Sequence, residues 1–435
     1  MFDPIEIAKA SLKIEVVHAP IARVVALTLD QASVVGWAQM PEVGALARLR
    51  TKRGTEIIAR VTESNSDHTI LQLPSGHVGL GIGDPAWIKA DVAVQPAAHW
   101  LGRTVDPRGR PIDGRRLALI PRGTPHPQTP PALARRPMGE RLQTGFFAFN
   151  TFLPIVRGQR PGIFAGSGVG KSTLLGGLAR HIPADVVVVA LVGERGHEVR
   201  AFKQEILGAE GMERAVLVAA TSDQPSQERR LCVETATRVA ESFRDQGKHV
   251  LLLVDSVTRL AEAHREVETE RGLASNCRGF PPSTQALVAG LCERAGPGTD
   301  TGSITALYTV LVAGSDMDEP IADMLRGILD GHVVLDRKIA ERGRFPAVDI
   351  LRSVSRSVPF AVSGEEAELL SKARHLLSVY SEAELMITSG LYTAGANVEI
   401  DRAIAFVPRL EALLAQENGT PIQICLEKLA ALLSD

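Results

Sequence analysis

Ala165–Gly166–Ser167–Gly168–Val169–Gly170–Lys171–Ser172–Thr173 lies between a short apolar run, residues 162–165, and a stretch of helical spacing, residues 173–180. Its small residues let successive backbone N–H groups curl around an anion, and the start of a helix adds the positive end of its dipole. Strand, glycine-rich turn and helix opening on Lys-Ser form the layout of a phosphate-binding loop for MgATP. Lys171 is expected on the β- and γ-phosphates, with the Ser172 hydroxyl as a ligand of Mg²⁺. Ala165 stands where the strict motif has Gly, a place that alanine tolerates when its φ is negative. Residues Ala165 to Thr173 are therefore the expected nucleotide cradle.

Outward from the loop, four apolar runs (162–165, 186–192, 250–254 and 304–312) alternate with helical stretches between residues 160 and 359. Runs this continuous read as strands buried on both faces, which predicts an α/β doubly wound core with a parallel sheet. In such a sheet, ligands are met at the C-terminal ends of the strands. Two carboxylates lie at such ends. Asp255 closes the run 249–254, as a holder of Mg²⁺ through water, as an N-cap of the stretch 256–266, or as both. Glu194 follows the strongest β run, where a carboxylate would orient and polarise the attacking water; the alternative is a solvated loop residue. Arg195 either contacts phosphate or pairs with Glu198.

The flanks read differently. Short β runs at 22–29, 45–50, 55–63 and 69–73, separated by turn residues, predict a small barrel or sandwich. Asp3 and Pro4 suggest a helix start, after which Ile5, Ala8 and Leu12 fall on one face. A Gly-rich passage, 101–114, leads into a Pro-rich linker at 121–137. Beyond Gly364, residues 365–389, 401–416 and 421–433 are amphipathic at helical spacing, punctuated by Gly390, Gly419 and Pro421. The expected divisions are 1–95, 96–362 and 363–435.

At 435 residues and 45% hydrophobic, the chain has material for two or three cores. A net charge of −2 gives no electrostatic reason for nucleic-acid binding, and no apolar run reaches the roughly 18 to 20 residues a bilayer demands. The acidic start carries no signal-peptide core, so a cytoplasmic location is expected. Cys232, Cys277, Cys292 and Cys425 have no CxxC spacing and read as small buried hydrophobes in a reducing compartment.

Longer stretches carry a resemblance. VGERGHEVRAF (192–202), HVLLLVDSVTRLA (249–261), GFPPS (279–283), ERAGPG (293–298), GSDMDEPIAD (314–323), LDRKIAERGRFPA (335–347) and GLYTAGANVEIDRAI (390–404) all contribute to it. The chain resembles the rotary F-type ATPase superfamily and, within it, the catalytic ATPase of type III protein export. The wording of 314–332 and 335–347 is similar to the flagellar branch, and the injectisome ATPases are close. The match runs from about residue 101 onward and is weaker over the barrel region.

The resemblance implies a RecA-like P-loop core after an N-terminal β-barrel and before a helical C-terminal domain. It implies a homohexamer that hydrolyses ATP to release export substrates from chaperones. Implied partners are an N-terminal regulatory dimer, a coiled-coil central stalk protein, export gate membrane proteins and chaperone–substrate complexes, with no nucleic acid. The implied location is peripheral at the inner-membrane export apparatus. Glu194 then matches the catalytic glutamate and Arg356 an arginine finger acting in trans, against the alternative of an intrachain salt bridge. Phe345 matches the aromatic that stacks on adenine, or else packs in the core. Asp316, Asp318 and Glu319 match an acidic loop facing the stalk, and the apolar stripe Ile5, Ala8 and Leu12 a site that docks the regulator or else packs on the barrel. The segment 273–277 departs from the family's GEPP-like element.

Other readings share the core. A catalytic subunit of a proton-translocating ATP synthase would pass the same motif tests. An RNA-tracking helicase would want a basic, aromatic-studded N-terminal platform, whereas Trp37 and Trp87 are separated and the basic run 48–53 holds no aromatic. A non-catalytic nucleotide-binding subunit would lack the carboxylate at Glu194.

Overall fold

The computed structural model describes residues 22–73, 79–88, 96, 98–115, 117, 129–270, 279–312, 317–416 and 419–434. The N-terminal stripe Ile5, Ala8 and Leu12, the segment 273–277 with Cys277, and Asp316 lie outside them. The chain divides into two compact units, one of Met1–Gln95 with Ala118–His126 and one of Pro96–Leu117 with Pro127–Asp435.

In the first unit, strands β1 (Ala22–Leu27), β2 (Gln31–Val35), β3 (Leu46–Arg50), β4 (Glu56–Ser64), β5 (Thr69–Gln72) and β6 (Pro85–Ile88) close a barrel in the order β1-β2-β5-β4-β3-β6. Period-2 alternation turns Val24, Val34, Leu49, Ile57, Val61 and Leu71 inward. The barrel was anticipated, but β2 and β6 were not. β2 is a five-residue strand that continues from β1 through a tight turn at Thr28 and Asp30, and β6 opens on a proline.

In the second unit, β7 (Arg103–Val105), β8 (Gly162–Ala165), β9 (Val186–Glu194), β10 (Ala215–Thr221), β11 (His249–Asp255), β12 (Gly296–Pro297), β13 (Ser303–Leu311), β14 (Gly331–Leu335) and β15 (Val348–Ser355) form one sheet among the described residues. Its order is β15-β14-β8-β13-β11-β9-β10-β7, with β12 beside β13. All neighbours from β14 to β7 run parallel, and β15 joins antiparallel at the edge. The four strands read from sequence are β8, β9, β11 and β13, the central ones buried on both faces. β7 and β14 escaped because they are only three and five residues long, and β15 because exposed residues break its apolar run; β10 was also missed, although it is a seven-residue apolar run buried up to its last residue.

Gly364–Thr388, Val398–Leu414 and Ile422–Ser434 are helices, as their periodicity predicts. They do not close a core of their own. Leu370, Leu377, Phe406, Leu410, Cys425 and Leu429 belong to the same buried cluster as Leu174, Leu175 and Leu178 of the phosphate-loop helix. A buried amide secures the junction. Asn150 Oδ1 accepts from the N–H (3.0 Å) and hydroxyl (2.7 Å) of Thr144, while Nδ2 donates to the Thr420 carbonyl at 2.9 Å. Cys232, Cys292 and Cys425 are buried.

Asn150→Ala would leave the Thr144 N–H without its acceptor and the Thr420 carbonyl one donor short. The expected loss is about 2 kcal/mol. Amide hydrogen exchange should accelerate in the helix Ile422–Ser434 more than in β9.

Candidate active site: two strand ends meet one lysine

Parallel register brings the chemistry to one edge. Ala165 pairs with Leu311, Val254 with Tyr308, and Asp255 with Leu191, so β8, β13, β11 and β9 finish side by side. From β8 the chain turns through Gly168 (φ 78) and Gly170 (φ 82), left-handed positions suited to glycine, into the helix Lys171–His181. Ser167, Gly168, Ser172 and Thr173 are exposed, Gly166 and Gly170 are half-buried, and Ala165 and Val169 are buried beneath the turn.

Asp255 is only 2% exposed. Its Oδ1 accepts from the Thr309 hydroxyl at 2.8 Å and pairs closely with the Lys171 ammonium. Lys171 Nζ is also 4.0 Å from Glu194 Oε1. Two carboxylates from separate strands thus converge on one cation. Beside them a cavity of about 110 Å³ is lined by Ser172, Glu194, Glu198, Phe202, Ile206 and Asp255, among others.

Glu194 is the last residue of β9 rather than part of the loop beyond it, and it is half-buried. Between the pairs Val192–Ala220 and Glu194–Thr221, Gly193 is an extra residue without a partner on β10, with φ 68. This bulge bends the strand end, and the Glu194 carbonyl accepts from the Ser222 N–H at 3.1 Å. Burial pushes the Glu194 carboxyl up to about 8, helped by its hydrogen bond with Glu198 and the charge of Asp255 and opposed by Lys171. The same hydrogen bond draws Glu198 down. The shared proton belongs on Glu194, the less exposed of the two and the one facing Asp255.

Arg195 is exposed. Its backbone N–H, at 3.3 Å, donates to Glu198, so the two associate through the start of the helix Gly196–Ala201. Phe345 comes close to the loop from the far side of the sequence. A Cβ placed on Gly170 would meet Phe345 Cδ1 at 3.0 Å, and the ring is 47% exposed. Thr309, Glu198 and the Gly193 bulge were not singled out as parts of the site. A polar residue within an apolar β run was the available signal for Thr309.

Arg356 does not join this cluster. It is exposed just past β15, and its guanidinium donates to the Arg326 carbonyl at 3.0 Å. Among the described residues no carboxylate pairs with it. Leu351, Val354 and Phe360 are exposed nearby in the chain. Asp318 is exposed and Glu319 half-buried, just before the helix Pro320–Ile328.

Known proteins share this arrangement. Residues 145–355 match the nucleotide-binding domain of the ATP synthase alpha/beta family, and residues 362–431 match the T3SS EscN ATPase C-terminal domain. The flagellum-specific ATP synthase of Caulobacter vibrioides is 48% identical over 360 residues, 80% of this chain and 81% of that protein. The SPI-2 type 3 secretion system ATPase of Salmonella typhimurium is 40% identical over 383 residues, covering 87% and 88%. The solved structure of the assembled ATPase EscN from enteropathogenic E. coli has a TM-score of 0.84 at 35% identity, covering 95% of this chain and 100% of that one. Its complex with the central stalk EscO has a TM-score of 0.85 at 36% identity, with the same coverage.

The chain belongs to the ATP synthase alpha/beta family of P-loop ATPases. Within that family it is an ATPase of the flagellar and type III secretion export group, with the fold that membership implies: barrel, RecA-like core and helical C-terminal region.

The raised Glu194 carboxyl has a consequence for the nucleotide-free protein. Between pH 4.5 and about 8 the unfolded chain ionises this group while the folded chain keeps it protonated. The unfolded state then binds fewer protons, so stability falls as pH rises through this window and levels off above it. Glu194→Gln lacks that loss. Its melting temperature relative to wild type should climb from pH 5 to 8, as read by differential scanning calorimetry, and a pH-independent difference would contradict the assignment.

Proposed function

We propose that the chain hydrolyses MgATP as a homohexameric ring to energise flagellar protein export, each site being completed by Arg356 of the neighbouring subunit. The observation that carries this is the convergence of Lys171, Asp255 and Glu194 at the end of the phosphate loop. The backbone of residues 166–173 cradles the phosphates, and Lys171 exchanges Asp255 for the β- and γ-phosphates. Ser172 and Asp255 offer hard oxygen donors where a cation already sits, which fits Mg²⁺, Asp255 acting through water. Bound there, the metal would neutralise charge on the phosphate oxygens.

Glu194, once ionised, orients a water, and the water's oxygen attacks the γ-phosphorus as the bond to the ADP oxygen breaks. Glu194 accepts the proton released. A carboxyl with a pKa raised toward the working pH suits a general base. Phe345 offers its exposed ring to adenine, and Arg195 remains free to approach phosphate from the rim. Arg356, unpaired with any described carboxylate and flanked by exposed apolar residues, suits a role at a subunit interface.

The flagellar branch is favoured by 48% identity to a flagellar relative against 40% to a secretion-system one. The injectisome ATPases are the second reading. The match of residues 362–431 disfavours a subunit of a proton-translocating synthase. A stalk partner, an N-terminal regulatory dimer, chaperone–substrate complexes and export gate proteins complete the proposal, with Asp318 and Glu319 on the stalk side. No helix among the described residues is long and apolar enough to cross a membrane, which suits peripheral attachment at the inner membrane.

Two experiments test this reading. Lys171→Ala should abolish phosphate release and, in the parent organism, halt appearance of export substrates in the medium without lowering their level in cells. The second mixes two inactive proteins, Glu194→Gln and Arg356→Ala. Interfaces pairing an intact Glu194 with an intact Arg356 should recover activity at on the order of a quarter of the sites. Absence of recovery in rings shown by native mass spectrometry to be mixed would return Arg356 to a role within its own chain.

A further inference from the structure

Phe345 lies in a short segment between the helix Arg337–Glu341 and β15, and that segment is tied at two points to the C-terminal helices. Arg342 pairs with Glu384 of the helix Gly364–Thr388 at 2.7 Å. Arg344 turns inward and is only 7% exposed. Its two terminal nitrogens donate to the carbonyls of Pro346 (3.1 Å) and Val348 (2.8 Å), and its Nε lies 2.5 Å from Glu411 Oε2 on the helix Val398–Leu414. One guanidinium therefore grips the backbone on the far side of Phe345, and its Nε, which makes no hydrogen bond among the described residues, is ion-paired with a carboxylate some 70 residues on.

The energetics make this more than a surface pair. Burial disfavours the charged forms of both partners, lowering Arg344 and raising Glu411, and each is sustained by the other. Glu411 keeps part of its surface in water, so the burden falls on Arg344: without Glu411 that buried guanidinium is left with only the weaker influence of Asp349 and Asp336. Arg344 would then have reason to swing toward water, releasing the Pro346 and Val348 carbonyls. The Phe345 ring, held against Gly170, would lose its anchorage while the phosphate loop stayed intact.

We infer that Glu411, acting through Arg344, is a positioning residue that sets how well the site holds the base end of the nucleotide. The C-terminal helices thereby tune nucleotide affinity without touching the phosphates. The inference rests on the proposed role of Phe345 as the adenine platform, and the two are separable by experiment.

The measurement is calorimetric binding of ATP and of inorganic tripolyphosphate to the full chain, with KM and kcat alongside. Glu411→Gln and Phe345→Ala should each weaken ATP by about tenfold, the scale of a lost aromatic stack, and change tripolyphosphate less than about twofold. KM should rise with kcat nearly kept, and the double variant should be no worse than Phe345→Ala alone. Glu411→Asp, which keeps the charge but shortens the reach, should show a smaller loss in the same direction; if Glu411→Gln does not fold, this variant carries the test. An unaltered ratio of ATP to tripolyphosphate affinity in the Glu411 variants, with Phe345→Ala still impaired, overturns the inference and leaves the platform standing. Equal weakening of both ligands overturns it too, since that marks a general loosening of the fold. Unchanged ATP binding in Phe345→Ala removes the platform, and the inference with it.

Discussion

Asp255 is a carboxylate almost wholly withdrawn from water, and among the described residues two groups on the same oxygen make that tolerable: the Thr309 hydroxyl and the Lys171 ammonium. Moving such an ion out of water costs several kcal/mol even after relaxation, so the partnership is compulsory in the nucleotide-free protein. It also ties the phosphate loop to a strand 84 residues away in sequence. The cradle is therefore preformed, with its cation parked inside it. Under the role proposed for Lys171, arriving phosphates would compete for it against an internal anion. Under the roles proposed here, Asp255 must then acquire a replacement cation, and an oxygen-rich pocket is where a divalent ion is most readily held.

The same neighbourhood governs Glu194. Its position follows from one unpaired glycine in β9, since a residue with a side chain would be strained at the φ of Gly193. Its protonation follows from burial and from two further carboxyl groups, Glu198 and Asp255. Under the role proposed for Glu194, a base that stays protonated until its surroundings change would not activate water prematurely. Geometry and titration here have a common cause, the crowding of strand ends at the edge of a parallel sheet.

How much of this the sequence disclosed depended on whether the signal was local. The loop 165–173 and the central strands β8, β9, β11 and β13 were legible because phosphate binding and two-sided burial each impose a pattern on consecutive residues. The C-terminal helices were legible from their 3.6-residue period. β14 was not, because five residues are too few to impose a pattern, nor was β15, an edge strand that faces water on part of its length and loses the apolar run. Thr309 was hidden within the apolar run of β13, where only the register with Asp255 gives its hydroxyl a purpose. Nor does any local pattern connect Arg344 to Glu411, which owe their meeting to the shared core.

That shared core bears on the ring. Helices that pack on the same cluster as Leu174 and Leu178 cannot shift far without disturbing the helix that starts at Lys171, because close-packed interiors transmit displacement rather than absorb it. Arg356 stands at the opposite extreme. It leaves the sheet just after β15, is exposed, and finds no counter-charge among the described residues. A guanidinium satisfied by one carbonyl retains several free donors in a planar fork, the geometry that matches phosphate. Under the role proposed for Arg356, a site braced within one chain and a cation exposed at its surface would be complementary halves of one requirement: transition-state charge met by a group that arrives only when a second subunit does.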